Sequence, residues 1–126
     1  MTTVWIVDDD EEMVHAVGLM LRLLGCDSRD FLSAPMAAKN LLMGEFPDVF
    51  ILDLRMPGVS GIDFLKFLRS RPDFKNIPVV MLSTETSAMM VDRTMALGAD
   101  AYVTKPVALD ELDAAIKKAL RVHGKI

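Results

Sequence analysis

The chain has 126 residues, of which 52% are apolar and 25% charged, and its formal net charge at pH 7 is −4. That length buries one core and is short for two, so one domain spanning residues 1–126 is expected to carry the whole function. The balance lacks the apolar depletion of disordered chains, and a net negative chain lacks the clustered cations that direct binding to nucleic acid requires. The longest apolar run, residues 16–24, is broken by Arg22 and is too short to span a bilayer, and the N-terminus lacks the basic, apolar, small-residue order of an export signal. A lone Cys26 offers neither an internal disulfide nor a second thiol for zinc, and reads as a small packed side chain in a reducing cytoplasm.

Short apolar runs alternate with segments of helical period along the whole chain. Strand 4–7 is followed by helix 11–24, the weak strand 27–31 by helix 34–43, and strand 49–52 by helix 61–70. Strand 79–82 then precedes helix 87–97, and strand 101–103 precedes helix 109–122. Gly25, Gly44 and Gly98 follow helices, whereas Pro47 and Pro78 precede strands. Continuous apolarity in three of the strands implies burial on both faces. Regular βα alternation predicts a doubly wound (βα)5 fold, an open parallel sheet with helices on both sides and right-handed crossovers. Ligands in such sheets bind beyond the carboxyl ends of the strands.

The residues at those ends are all polar. Strand one ends in Asp8, Asp9 and Asp10, strand three in Asp53, strand four in Ser83 and Thr84, and strand five leads to Lys105 before Pro106. Each has an ordinary explanation alone, as a helix cap or a solvated charge, and Asp10 fits a cap for the helix that follows. Together they put three carboxylates, a hydroxyl and an ammonium on one rim. Two carboxylates ~4 Å apart at an effective dielectric of about 20 repel by roughly 4 kcal/mol, so Asp8, Asp9 and Asp53 call for positive charge. Lys105 supplies part of it, and a hard divalent cation such as Mg²⁺, bound by oxygen and water, would supply the rest. A carboxylate so placed is arranged to attack phosphorus, with the Ser83 hydroxyl as a donor to the transferred group.

These motifs resemble the response-regulator receiver family: Val-Asp-Asp after strand one, Asp-Leu-Arg-Met-Pro-Gly from Asp53, Ser83 followed by Thr84 and Glu85, and Tyr-Val-Thr-Lys-Pro ending at Pro106. The intervals from Asp9 to Asp53, Asp53 to Ser83 and Asp53 to Lys105 agree with the family without a gap, and the match covers the chain. The resemblance implies a flavodoxin-like sheet of order 2-1-3-4-5. It implies phosphorylation of Asp53 by a partner phosphohistidine, on a histidine kinase or a histidine phosphotransfer protein. Asp9, Asp53 and the Arg55 carbonyl would hold Mg²⁺, Asp8 would act largely through water, and Lys105 would contact the phosphoryl oxygens. Ser83 and Tyr102 would form the switch, and the Lys105–Pro106 peptide would be cis. Arg55 and Glu85 are where this sequence chooses among the family's options, and an ion pair between them across the pocket mouth would prolong the phosphorylated state.

Two other classes stay open at this point. A Mg²⁺-dependent phosphatase with an aspartyl nucleophile, in its haloacid-dehalogenase form, needs Asp-x-Asp-Gly-Thr after strand one, where this chain reads Asp-Asp-Asp-Glu-Glu. A flavin binder needs a phosphate-cradling loop in the same place, which carboxylates occupy instead. Elsewhere, Trp5 reads as a core indole, His15 and His123 as solvated surface, and the methionines, Met89, Met90 and Met95 among them, mostly as gap-fillers. Leu19, Met20 and Leu23 exceed what helix one can turn to the sheet, and with the family's use of this helix for kinase contact they suggest a docking patch.

Overall fold

The computed structural model describes all residues, Met1–Ile126, and contains the expected alternation: β1 (Thr3–Val7), α1 (Glu11–Leu23), β2 (Asp27–Phe31), α2 (Ala34–Leu42), β3 (Val49–Asp53), α3 (Gly61–Ser70), β4 (Val79–Ser83), α4 (Ala88–Ala96), β5 (Ala101–Thr104) and α5 (Leu109–Val122). All pairings are parallel, in the order β2-β1-β3-β4-β5. This is the doubly wound topology that the sequence implied, with its reversal of strand order between β1 and β3. β3 and β4 are buried along their full length, and β1 along all but its first residue. Their side chains divide by alternation between two cores. On one face Val4, Ile6, Ile51, Val80 and Leu82 meet Val14, Val17 and Leu21 of α1 and Leu112, Ile116 and Ala119 of α5. On the other, Trp5, Val7, Phe50, Leu52 and Met81 meet Ala37 and Leu41 of α2 and Phe64, Leu65 and Leu68 of α3.

β2 forms despite its composition because all five residues pair with β1. Its four exposed residues lie on the sheet edge, and the Arg29 guanidinium lies over the rings of Trp5 and Phe31 while bridging Glu45 at 2.8 Å. Helix caps follow side-chain chemistry: Asp10 accepts from the Glu12 and Met13 amides, Ser60 from Asp63 and Ser87 from Met90. Of the methionines in and beside α4, Met90 and Met95 pack against the second core, but Met89 is 82% exposed. Met20 packs against the first core, while Leu19 and Leu23 are exposed on α1. Cys26 is half-buried and also packs there. No helix is long and apolar enough to cross a membrane.

His123 departs from the sequence reading. It is half-buried rather than solvated, with Nε2 2.9 Å from the Asp100 carboxylate. The same Asp100 oxygen accepts from the Val79 amide at 2.8 Å and the Arg69 guanidinium at 3.1 Å. Arg69 also donates to the carbonyls of Gly98, Lys75 and Ile77. This clasp ties the ends of α3 and α5 to the starts of β4 and β5, at the end of the sheet opposite the strand carboxyl termini. His15 is exposed, as expected.

Candidate functional site

A parallel sheet delivers every strand's carboxyl end to one rim, and three of the chain's buried polar residues are there: Asp8, Asp53 and Ser83. Asp8 continues the ladder one residue past β1, its amide donating to the Phe31 carbonyl at 3.0 Å. Its Oδ1 accepts from the Asp10 amide at 3.0 Å, which fixes the carboxylate's direction. Asp9, between them, is exposed. Asp53 closes β3, and Ser83 closes β4 one residue past the partner of Asp53, Leu82. The Lys105 amide donates to the Ser83 carbonyl at 2.8 Å, and the Lys105–Pro106 peptide is cis. The Lys105 ammonium donates to Asp8 Oδ2 at 3.2 Å and to Asp53 Oδ1 at 3.1 Å.

Carboxylate oxygens of Asp8, Asp9 and Asp53 lie within 4.8 Å of one another. Burial, and then the Asp8 charge, push the Asp53 carboxyl up to about 6, although its hydrogen bond to Lys105 acts the other way. Burial alone would lower the Lys105 ammonium, but Asp53 and Asp8 more than offset it and hold its pKa above the ordinary value. Lys105 faces two carboxylates and no cation, whereas Asp53 faces two carboxylates and a single ammonium. The pocket is therefore short of positive charge, and its donors are all hard oxygens. Both properties fit a divalent cation of the Mg²⁺ kind.

The remaining expected residues converge on Glu85. Its amide donates to Ser83 Oγ at 2.9 Å, its carbonyl accepts from the Tyr102 hydroxyl at 2.8 Å, and its carboxylate meets the Arg55 guanidinium at 3.1 Å. The expected Arg55–Glu85 pair is thus present. Because Ser83 Oγ accepts from Glu85, its own proton is free for another acceptor. Asp10, the second aspartate that a dehalogenase-type nucleophile pair would need, is instead occupied as the cap of α1. Sequence reasoning missed Gly61, whose Cα abuts the Asp53 main chain. A glycine opening a helix carries no signal of that contact.

Comparison with known proteins agrees with this geometry. The model of the response regulator receiver domain family matches residues 4–117. The sensory transduction protein RegX3 of Mycobacterium tuberculosis is 37% identical over 98% of this chain and 53% of its own length. The phosphate regulon transcriptional regulatory protein PhoB of Rhizobium meliloti is 35% identical over 92% and 51%. The chain thus spans about half the length of these relatives. Among solved structures, chemotaxis protein CheY4 of Vibrio cholerae superposes with a TM-score of 0.86 at 28% identity, covering 95% of this chain and 99% of CheY4. A Francisella response regulator receiver domain gives 0.84 at 28%, covering 97% and 99%.

The doubly wound sheet carries an acidic, lysine-bridged rim able to coordinate a divalent cation, the arrangement of a phospho-accepting receiver domain. The chain belongs to the response regulator receiver domain family.

Proposed function

We propose that Asp53 takes a phosphoryl group from the phosphohistidine of a histidine kinase or a histidine phosphotransfer protein, in the cytoplasm, and that residues 1–126 work as one receiver unit. The observation that carries this is the Lys105 ammonium held between Asp8 and Asp53 at 3.2 and 3.1 Å, beside carboxylates that cluster within 4.8 Å. An Asp53 carboxylate oxygen attacks phosphorus, the O–P bond forms as the N–P bond to histidine breaks, and the departing imidazole takes a proton. Lys105 moves from carboxylate to phosphoryl oxygen, and the Ser83 hydroxyl donates to another. Asp9, Asp53 and the Arg55 carbonyl would hold Mg²⁺, with Asp8 acting largely through water. When bound, the ion supplies positive charge against the phosphoryl oxygens.

Drawing the Ser83 hydroxyl toward the phosphoryl group pulls on the Glu85 segment, to which Tyr102 is bonded, and so alters the surface formed by α4, β5 and α5. The product is a change of partner affinity. Incubation with acetyl phosphate and Mg²⁺ should add one phosphate to the wild type and none to Asp53→Asn. Stoichiometric labelling of the variant would overturn the assignment.

A further inference from the structure

The Asp53 carbonyl oxygen occupies space that a side chain at residue 61 would need. A Cβ built on Gly61 would stand 1.9 Å from that oxygen, 2.8 Å from the Asp53 carbonyl carbon and 3.1 Å from the Leu54 Cα, where real Cβ atoms essentially never come within 3.0 Å. All three neighbours are main-chain atoms at or just past the end of a fully buried strand, so none can swing aside as a long side chain would. Backbone freedom is not the reason for this glycine. Five of the seven glycines have positive φ, and Gly61 is not among them. The other glycine without positive φ, Gly18, would place a Cβ 3.5 Å from the Ser28 hydroxyl, an ordinary contact.

A main-chain hydrogen bond fastens the close approach. The Gly61 amide donates to the Leu54 carbonyl at 3.0 Å, which binds the start of α3 to the end of β3, and the Ser60 hydroxyl caps the helix by accepting from the Asp63 amide at 3.1 Å. Behind it, Phe64, Leu65 and Leu68 are buried in the core and hold the helix in place. The loop that carries Arg55 is closed between these two points.

We infer that Gly61 is a positioning residue for the phospho-acceptor: lacking a side chain, it lets the start of α3 rest on the Asp53 main chain and so sets where the Asp53 carboxylate stands against Lys105 and Asp8. This rests on the reading of Asp53 as the acceptor. Relieving the overlap of a methyl group takes a shift of more than about 1 Å, and a misplacement of that size costs on the order of a hundredfold in a reaction that depends on alignment. Carried into the Asp53 carboxylate, such a shift would stretch the Lys105 hydrogen bond that stands at 3.1 Å.

The test compares Gly61→Ala with Gly18→Ala and the wild type. Each is phosphorylated by acetyl phosphate at saturating Mg²⁺, at a fixed interval below its own Tm so that a general loss of stability does not register. Gly61→Ala should react at least tenfold more slowly, with weaker Mg²⁺ affinity, and Gly18→Ala should stay within twofold of the wild type. A folded Gly61→Ala that reacts within twofold of the wild type overturns the inference. A wild type that takes no phosphate on Asp53 overturns the functional reading instead. Should Gly61→Ala not fold, the wild type labelled with ¹⁵N-glycine decides: titration with MgCl₂ should move the Gly61 resonance while those of Gly18, Gly44 and Gly124 stay in place. A Gly61 resonance that does not move while Mg²⁺ raises the Tm overturns the inference.

Discussion

The Tyr102 hydroxyl donates to the main-chain carbonyl of Glu85 at 2.8 Å, which ties the middle of β5 to the loop after β4. The next hydrogen bond in that loop runs from the Glu85 amide to Ser83 Oγ. Two bonds therefore separate the pocket floor from the surface near α4. Ser83→Ala should still accept phosphate but transmit it poorly, and Tyr102→Phe should lose about 1 kcal/mol of stability with acceptor chemistry intact. Amide shifts along α4 with beryllofluoride measure the coupling. Shifts in Ser83→Ala equal to those of the wild type would place the route elsewhere.

Arg55 and Glu85 meet at 3.1 Å with the Arg55 side chain 69% exposed, so their pair adds only ~0–1 kcal/mol of stability. Its effect should be kinetic. On the proposed reading the bridge would obstruct the approach of a hydrolytic water, and the pairing occupies a carboxylate that could otherwise orient that water. Arg55→Ala should lose phosphate several-fold faster than the wild type in a phosphate-release time course. Decay as slow as the wild type's would show that the pair does not gate hydrolysis.

The raised Asp53 pKa makes stability depend on pH in a stated direction. With a folded value of about 6 against an ordinary 3.8, the folded state holds a proton that the unfolded state releases, so stability falls as pH rises between them and the full penalty applies above about 6. In chelator at pH 8, Asp53→Asn should therefore be more stable than the wild type. The two should converge below pH 4. An advantage that does not shrink on acidification would show that the repulsion is not at Asp53.

Divalent metal should relieve the same repulsion. At a hundred times its dissociation constant a ligand of the folded state adds about 2.7 kcal/mol, so millimolar Mg²⁺ should raise the Tm, and far less in Asp9→Asn. An equal rise in that variant would move the ion to another site.

At the opposite end of the sheet, Asp100 and Arg69 have side chains only 7% and 15% exposed. Removing Arg69 leaves Asp100 with the Val79 amide and His123, so the cost should fall below the about 3–5 kcal/mol of a wholly uncompensated buried charge. Arg69→Ala should lower the unfolding free energy obtained from urea denaturation while leaving the rate of Asp53 phosphorylation within twofold. A loss of acceptor chemistry in a folded Arg69→Ala would mean that the two ends of the sheet are coupled.

The site was legible because each of its residues is polar where a strand ends, and the strands were legible because β1, β3 and β4 are unbroken apolar runs buried on both faces. β2 was weak in sequence because its order comes from pairing with β1 and from Arg29 covering Trp5, neither of which is a local property. His123 read as surface because its partners, Asp100 and through it Arg69, reach it only in three dimensions. Gly61 was opaque for a related reason: what marks it is the space that its missing side chain leaves beside Asp53.

On the proposed function the phosphoryl group resides on Asp53. Borohydride reduces an aspartyl phosphate to homoserine, so protein treated with acetyl phosphate and Mg²⁺, reduced and digested, locates the acceptor by peptide mass. Homoserine is expected at position 53 and at no other aspartate, Asp8 and Asp9 included. Homoserine at either of those positions, or phosphate retained on the protein with Asp53 unreduced, would contradict it.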